Sequence, residues 1–285
     1  MAGASERFAR DARPPLTCYT ILTVKFCRFL PVAAAGGSAG QYGFLDTEVV
    51  REIDAPPWTA WKETGRSVAR GDVRLLAPVE PRKIVCIGRN YAAHAAELGN
   101  QVPQVPLIFL KPSSAIVGPE EPVVLPKYSQ RVEHEGELGL VVGRKCSQLS
   151  DAGDPLDYLL GYTCVNDVTA RDLQKADVQF TRAKGFDTFC PVGPHIETEL
   201  QPDNVGVETR VNGEVRQSGR TSLMVFSPAF LVRWLSRMMT LEAGDLIATG
   251  TPSGVGPLTA GDTVEVRVEG IGVLRNPVHS AIASF

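Results

Sequence analysis

The segment VEHEGELGLVVG, residues 132–143, places Glu133, Glu135 and Glu137 at every second position directly before an apolar run. The apolar run predicts a buried strand, and alternate side chains of a strand share one face. Three carboxylates on one face beside a hydrophobic core would repel one another and lose their hydration. We expect a divalent cation to neutralise them. The alternative is an exposed edge strand with one solvated face.

Asp167, thirty residues after Glu137 in GYTCVNDVTARD, is a further candidate for the same cation site. A site made only of carboxylate oxygens suits a hard ion. We therefore expect Mg²⁺, with Mn²⁺ or Ca²⁺ as the other possibilities.

Two further motifs carry polar side chains suited to catalysis. His94 and Glu97 lie three residues apart in a segment that predicts a short helix, so they share a face. A carboxylate beside an imidazole fixes its tautomer and raises its basicity, which suits a base that activates water. A surface pair is the alternative. Lys184, in TRAKGFDTFCPVGP, would stabilise an enolate or a carboxylate; a solvated lysine before a turn is the simpler interpretation.

Candidate substrate contacts follow Asp167 and a late glycine-rich turn. Arg171 and Gln174 come four and seven residues after Asp167, where a helix would direct both the same way. Arginine suits bidentate capture of a carboxylate, and a surface ion pair with a nearby aspartate is the alternative. Thr251 lies in TGTPSGVG, which has neither the P-loop lysine nor dinucleotide-binding spacing. That turn either binds a small anion or is purely structural.

Composition and charge bound the remaining possibilities. The chain has 285 residues, 44% of them hydrophobic, and a net charge of -3 with a pI near 5.9. These values predict one large domain or two smaller ones and argue against a nucleic-acid surface. No apolar run is long enough to cross a membrane. Six scattered cysteines without CxxC spacing predict reduced thiols in a cytoplasmic protein. Organelle targeting by the N-terminal segment stays open.

The order of predicted elements indicates an α+β protein that is mainly β. Residues 1–20 predict a disordered extension, residues 21–79 a small N-terminal β domain, and residues 80–285 a metal-dependent catalytic domain. Asn212-Gly213 between alternating segments predicts a type I′ hairpin. Ser227-Pro228 predicts the start of a helix with Ser227 as its cap and with Phe230, Leu231, Trp234, Leu235 and Met238 on one face.

Taken together, several segments resemble the fumarylacetoacetate hydrolase family, in its acylpyruvase-like branch. They run in order from residue 83 to the C-terminus: KIVCIGRNYAAHAAELG, PLIFLKPSSAIVGP, VEHEGELGLVVG, GYTCVNDVTARDLQ, AKGFDTFCPVGP, VNGEVRQSG and LEAGDLIATGTPSGVG. The resemblance implies a mixed β-sandwich roll with flanking helices, usually dimeric. It implies metal ligands at Glu135, Glu137 and Asp167, with Glu133 outside the ligand set.

The resemblance also distributes roles among the other candidates. It implies a catalytic dyad at His94 and Glu97 and a substrate contact at Lys184, which we expect to be catalytic by stabilising an enolate. The residues assigned to substrate binding are Arg89, Arg171, Gln174 and Thr251.

Three hypotheses about function follow. The first is a divalent-metal-dependent hydrolase that cleaves a carbon–carbon bond of a small acylpyruvate to give pyruvate and a carboxylic acid. The second keeps the site and changes the reaction to decarboxylation or tautomerisation of oxaloacetate, or isomerisation of a 2-hydroxydienoate diacid. The third is a catalytically silent member of the fold. We expect a 2-oxo acid as substrate and a homodimer, with no nucleic-acid or membrane partner.

Overall fold

The computed structural model describes residues 24–33 and 40–281. The predicted extension at residues 1–20, and Cys18 within it, lie outside the described residues. The five cysteines that are described are all buried and free. No helix among the described residues has both the length and the apolar content needed to cross a membrane.

Strands dominate the described chain, as the sequence predicts. They are β1 (Lys25–Pro31), β2 (Gln41–Asp46), β3 (Val49–Ile53), β4 (Glu63–Ala69), β5 (Val73–Leu76), β6 (Ile84–Gly88), β7 (Leu107–Lys111), β8 (Ile116–Val117), β9 (Val123–Leu125), β10 (Val132–His134), β11 (Gly136–Val142), β12 (Leu159–Asn166), β13 (Thr169–Ala170), β14 (Cys190–Glu197), β15 (Gly206–Val211), β16 (Glu214–Arg220), β17 (Leu246–Ala248), β18 (Gly256–Pro257), β19 (Thr263–Val268) and β20 (Gly272–Ser280). The α-helices are α1 (Ala92–Glu97), α2 (Arg171–Ala176), α3 (Thr181–Lys184) and α4 (Pro228–Met238).

These strands form one large sheet, a second sheet of five strands and a small sheet of three. The large sheet has the order β4-β3-β2-β1-β14-β12-β11-β17-β6-β7, with β5 beside β1 and β8 beside β14. The five-stranded sheet has the order β16-β15-β19-β20-β9, and the small one β13-β10-β18. Most pairs are antiparallel, and β17–β6, β14–β8 and β20–β9 are parallel. The mainly β, mixed-sheet fold is therefore confirmed.

The central strand β11 is buried on both faces. Leu138 and Leu140 belong to a core shared with β15, β19 and α4, and Val141 belongs to the core on the opposite face. A strand with two buried faces reads as a continuous apolar run, which is why LGLVV was recognisable in the sequence. The alternative of a solvated edge strand is wrong, since every residue of β11 is buried.

The N-terminal β module is joined to the large sheet through β1. Lys25 pairs with Glu197 and Phe26 with Ile196 of β14, and the same edge of β1 continues into β5 from Arg28 onward, while β2 pairs along the other edge. The hydrogen-bonded ladder therefore passes from the N-terminal segment into the strands that carry the carboxylates.

Two local predictions can be checked directly. Asn212 and Gly213 both have positive φ, 54° and 82°, between β15 and β16, as a type I′ turn requires. Ser227 Oγ accepts a hydrogen bond from the backbone N–H of Phe230 and Pro228 begins α4, which confirms the predicted cap.

The predicted apolar face of α4 is partly wrong. Leu231 and Leu235 are buried, but Phe230 and Met238 are 44% and 55% exposed. The buried face is rotated towards Val232 and Ser236. Phe230 instead stacks on Phe226 at 5.4 Å between ring centroids.

A buried histidine on β14 makes stability depend on pH. Neither ring nitrogen of His195 has a hydrogen-bond partner, and burial together with the charges of Lys25 and Arg70 lowers its pKa from 6.5 to about 4. The unfolded chain therefore binds the extra proton first as the pH falls. Stability is complete above about pH 6.5 and is lost between pH 6.5 and 4, by on the order of 3 kcal/mol.

We predict that His195→Phe removes this part of the acid sensitivity. The free energy of unfolding, measured by denaturant titration from pH 7.5 to 4, should fall less in the variant than in the wild type. His279→Gln, at an exposed position, is the matched control and should follow the wild type. Parallel curves for His195→Phe and the wild type would contradict the assignment.

Candidate metal centre and cavity

Three carboxylates meet where β11 begins and β12 ends. Gly136 pairs with Asn166, and the backbone N–H of Asp167 donates to the carbonyl of Glu135 at 2.8 Å, which brings Glu135 and Asp167 together across the ladder. Glu137 comes two residues after Glu135 on the same strand face. A Cβ at Gly136 would lie 2.0 Å from Thr209 Oγ1, so the residue between the two glutamates has no room for a side chain.

The three side chains form a compact buried group. One carboxylate oxygen from each of Glu135, Glu137 and Asp167 lies within 4.8 Å of the others. Their exposed fractions are 4%, 2% and 1%. Like charges at this separation and burial destabilise one another unless cations compensate them.

Two lysines supply part of that compensation. Lys184 Nζ donates to Glu135 Oε2 at 2.8 Å and to Asp167 Oδ2 at 2.6 Å. Lys111 Nζ donates to Asp167 Oδ1 at 2.5 Å and to the carbonyl of Val168 at 3.1 Å. Both lysines are 2% exposed. The interpretation of Lys184 as a solvated lysine is therefore wrong.

Arg171, at the start of α2, neutralises the negative charge of Glu133 and Glu135. Its guanidinium pairs with Glu135 and donates to Glu133 Oε2 at 2.6 Å and to Gln174 Oε1 at 2.5 Å. Glu133 also accepts from Arg131 Nε at 2.5 Å. The alternative of a surface ion pair for Arg171 is wrong, because this arginine is only 3% exposed and its partners are buried glutamates.

The positive charges are distributed unevenly among the three carboxylates, and Glu137 is the one without a cationic partner among the described residues. Burial alone would raise the pKa of Glu135, but the charges of Lys184 and Arg171 hold that pKa well below its usual range. Burial, followed by the negative charges of Asp167 and Glu135, raises the pKa of Glu137 well above its usual range. Glu137 Oε2 accepts a hydrogen bond from the backbone N–H of Gly250 at 2.7 Å. Glu137 has no ion-pair partner within the described part of the chain.

This donor set fits a divalent ion. Three carboxylate oxygens converge, all donors are hard, and the one carboxylate that lacks a cation partner faces the cavity. Such a set suits Mg²⁺, Mn²⁺ or Ca²⁺ and excludes a preference for soft metals. Glu135, Glu137 and Asp167 are the residues that would hold the ion.

The predicted dyad is formed on α1. His94 Nδ1 and Glu97 Oε2 are 3.3 Å apart, and His94 is 5% exposed. Glu97 also accepts the backbone N–H of Gly254 at 3.0 Å, which ties α1 to the turn after β17. In a neutral imidazole with Nδ1 as the donor to this carboxylate, Nε2 keeps its lone pair.

A cavity of about 210 Å³ joins these groups. This volume is below the ~300–1,000 Å³ typical of drug-sized ligand pockets, so it suits a small metabolite. Nine of the ten residues predicted for the site line it. The predicted site residues in its wall are Arg89, His94, Glu135, Glu137, Asp167, Arg171, Gln174, Lys184 and Thr251; Glu97 lies behind His94 and holds its Nδ1.

The hydroxyl of Thr251 makes two hydrogen bonds within the protein. Its hydroxyl donates to the carbonyl of Gly136 at 2.8 Å and accepts from Gln217 Nε2 at 2.7 Å. Gln217 Oε1 in turn accepts the backbone N–H of Gly136 at 3.0 Å. The turn at Thr251 is therefore fixed against the start of β11, and its position beside Glu137 follows from that.

Two side chains that contact the site, Lys111 and Gln217, were not predicted from the sequence. Lys111 is the last residue of β7 and is charged after an apolar run, a usable signal, because a lysine at a buried strand end needs an anionic partner. Gln217 lies in the hairpin strand β16, and its alternating neighbours give no such signal. Its role follows from the packing of the two sheets.

Comparisons with known proteins agree with this architecture. Residues 83–279 match the family model described as fumarylacetoacetate (FAA) hydrolase C-terminal. The chain belongs to the fumarylacetoacetate hydrolase family. Residues 24–78 match a second model, Rv2993c-like, N-terminal, which covers the N-terminal β module.

Three similar proteins align with most of the length of this chain. Protein Rv2993c of Mycobacterium tuberculosis is 52% identical over 84% of this chain and 91% of its own length. Oxaloacetate tautomerase YisK of Bacillus subtilis is 44% identical over 73% of each chain. The crystal structure of 2-hydroxyhepta-2,4-diene-1,7-dioate isomerase from Mycobacterium marinum has a TM-score of 0.81 and 46% identity, covering 91% of this chain and 99% of that one.

Because Glu137 lacks a cation partner and Glu133 has one, substitutions at these two residues should change the stability of metal-free protein in opposite directions. In metal-free protein, Glu137→Gln should raise stability by on the order of 1 kcal/mol, about 2–4 °C in Tm, because a carboxyl held against two negative charges is replaced by a neutral amide. We expect a divalent ion such as Mg²⁺ to raise the Tm of the wild type and to leave the Tm of this variant unchanged. Thermal unfolding with EDTA and with Mg²⁺ measures both.

The control is the same substitution at Glu133. Glu133→Gln removes the charge that pairs with Arg171 and should lower the Tm of metal-free protein. Equal destabilisation by both substitutions would show that Glu137 is not the carboxylate in excess.

Proposed function

We propose that this protein is a divalent-metal-dependent tautomerase of a small 2-oxo diacid, with the keto and enol forms of oxaloacetate as the substrate pair and Mg²⁺ as the metal. The observation that carries the proposal is the pairing of groups in one cavity. The carboxylates of Glu135, Glu137 and Asp167 converge there, and His94, held by Glu97, lies in the same wall.

The names of relatives support this reaction over hydrolysis. YisK, 44% identical, is named an oxaloacetate tautomerase, and the Mycobacterium marinum protein is named a dienedioate isomerase. Both reactions move a proton along a 2-oxo or 2-hydroxy diacid without adding water. The comparisons therefore support the second hypothesis from the sequence better than the first, acylpyruvate hydrolysis.

His94 is suited to move the proton. With Nδ1 donating to Glu97, Nε2 takes a proton from C3 of the keto form, and the electron pair moves onto the C2 oxygen. The same proton then returns to that oxygen as the enol forms, so the reaction consumes no proton and no water. Glu97 stabilises the imidazolium that exists between the two transfers.

Cationic side chains counter the negative charge that the substrate develops. Asp167 and Glu135 hold the pKa of Lys184 above its usual range although burial alone would lower it, so its ammonium stays charged. The bound divalent ion would supply Lewis-acid stabilisation of the 2-oxo carboxylate end. Leu98, Phe109 and Phe180 in the cavity wall limit the access of bulk water.

Hydrolysis of an acylpyruvate is the second candidate, and the dyad is the observation that favours it. A histidine oriented by a carboxylate is also the arrangement that activates water. Here His94 Nε2 would take its proton from water instead of from carbon. The two candidates therefore differ in products, not in the residues they require.

A product assay decides between these reactions. With Mg²⁺ present, we expect the ultraviolet absorbance of enol oxaloacetate to decay faster with enzyme than without it, with no equivalent release of pyruvate. EDTA should abolish the acceleration and Mg²⁺ should restore it. Pyruvate plus an acid from an acylpyruvate, without tautomerisation, would favour hydrolysis instead. Pyruvate plus CO₂ would mean decarboxylation.

We predict that His94→Ala lowers kcat for tautomerisation by about 10²–10⁴-fold and keeps the Tm increase given by Mg²⁺, since His94 is outside the ligand set. Glu97→Gln should lower kcat less, because a neutral amide still accepts from Nδ1. Unchanged turnover in His94→Ala would remove the dyad from the mechanism. Loss of the Mg²⁺ effect on Tm would mean that His94 supports the metal site instead.

A further inference from the structure

Both peptide groups that flank Gly136 are held by side chains. The backbone N–H of Gly136 donates to Gln217 Oε1 at 3.0 Å, and its carbonyl accepts from the Thr251 hydroxyl at 2.8 Å. Gly136 is the residue between Glu135 and Glu137, where β10 has ended and β11 begins. Because a peptide group is planar, its orientation sets the direction in which the neighbouring side chain leaves the backbone. Side chains from other segments therefore control the spacing of two candidate metal ligands.

The amide of Gln217 joins these contacts into one ring. Gln217 Nε2 donates to Thr251 Oγ1 and to the carbonyl of Pro252, both at 2.7 Å, while Oε1 accepts from Gly136. Because a backbone N–H only donates and a carbonyl only accepts, these partners fix which end of the amide is the oxygen. The ring runs from the N–H of Gly136 through Gln217 and Thr251 back to the carbonyl of Gly136.

A buried histidine completes the contacts of this amide. His134 Nδ1 lies 3.1 Å from Gln217 Oε1, and since that oxygen accepts, Nδ1 is the donor. Gln217 therefore makes two hydrogen bonds through each end of its amide, which uses all of its donors and acceptors. Gln217 is fully buried and is not part of the cavity wall. Such an amide holds one position, because a rotation would leave buried polar groups unpaired.

The same amide is connected to the dyad of α1. Pro252 belongs to the turn after β17, and Gly254 in that turn donates its N–H to Glu97 Oε1 at 3.0 Å. A Cβ at Gly254 would lie 2.1 Å from the carbonyl oxygen of Arg216, so the turn lies directly against β16 at the residue before Gln217. Gln217 therefore contacts both the strand that carries the glutamates and the turn that holds Glu97.

Gln217 reaches this point from a different sheet. It lies on β16 of the five-stranded sheet, whereas Glu137 lies on β11 of the large one. Its partner across the ladder, Thr209 on β15, is also fully buried, yet Thr209 Oγ1 has no hydrogen-bond partner among the described residues. Residues opposite each other in a ladder share one face of the sheet. The pair therefore allows packing in this layer to be separated from hydrogen bonding to Gly136.

We propose that Gln217 is a positioning residue of the metal centre, which sets the separation of the Glu135 and Glu137 carboxylates and fixes the turn that holds Glu97. Gln217 acts through Gly136 and that turn and touches neither the metal nor the substrate. Groups that orient the ligands of a metal typically contribute about 10–100-fold to its affinity. The inference goes beyond the proposed function, because it concerns the binding of a divalent ion by the protein alone.

Gln217→Met tests this role, because methionine has a similar volume and forms none of the four hydrogen bonds. With metal-free full-length protein, the dissociation constant for Mn²⁺, measured by calorimetry well below the Tm, should rise about 10–100-fold. A lowered Tm in Gln217→Met together with wild-type Mn²⁺ affinity would mean that Gln217 has a structural role only and would overturn the proposal.

Thr209→Val is the matched control, since it changes the same buried layer. Its Mn²⁺ dissociation constant should stay within about 2-fold of the wild type, because the hydroxyl that it removes has no hydrogen-bond partner among the described residues. Equal losses of Mn²⁺ affinity in Thr209→Val and Gln217→Met would show that packing between the sheets is responsible and would overturn the proposal.

Substitutions at Thr251 test the ring from its other side. Thr251→Val removes the hydroxyl that links Gln217 to the carbonyl of Gly136 and should weaken Mn²⁺ binding, whereas Thr251→Ser keeps that hydroxyl and should retain the affinity. Combining Thr251→Val with Gln217→Met should cost less than the product of the two single losses, because both break one network. Losses that multiply would overturn the ring. Should Gln217→Met fail to fold, wild-type Mn²⁺ affinity in Thr251→Val would overturn the proposal.

Turnover separates this proposal from the proposed function. At saturating Mg²⁺, kcat of Gln217→Met for oxaloacetate tautomerisation should stay at least about 10-fold below the wild type, because the turn that holds Glu97 has lost a support. Absent tautomerisation in the wild type, with the Mn²⁺ results as expected, would refute the proposed function alone. Wild-type kcat in Gln217→Met at saturating Mg²⁺ would overturn the link from Gln217 to the dyad.

Discussion

The carboxylates buried at the junction of β11 and β12 are the constraint on which the site depends. Glu135 and Asp167 share Lys184 between them, Lys111 holds the other oxygen of Asp167, and Arg171 holds Glu135. These contacts make the burial of two carboxylates tolerable. They leave Glu137 uncompensated beside its neighbours, so the folded chain retains a local need for positive charge that a divalent ion would meet.

That need connects the fold to the chemistry. Strand β11 is buried throughout and β12 is buried from Gly161 to Asn166. The turn after β17 is hydrogen-bonded to β11 through Gly250 and Thr251. The dyad helix α1 is joined to the same turn through Glu97 and Gly254. His94, the group we propose for proton transfer, is therefore positioned relative to the carboxylates through three hydrogen bonds that involve the turn after β17, an arrangement suited to catalysis by positioning.

The sequence predicted much of this arrangement because local rules sufficed for it. Alternation placed Glu135 and Glu137 on one face, and two residues with positive φ at Asn212-Gly213 were predictable from turn chemistry. The burial and ion pairs of Lys184 were not predictable, because they depend on segments that are distant in the sequence and pack around this lysine. Lys111 was missed for the same reason: its partner Asp167 is 56 residues away along the chain.

Crystals of the protein grown with Mn²⁺ and oxalate test the central claim most directly. The account predicts an anomalous difference peak within coordination distance of oxygens from Glu135, Glu137 and Asp167, with Lys184 still contacting the two carboxylates that it holds here. A peak elsewhere, or no peak at these three carboxylates at millimolar Mn²⁺, would contradict it.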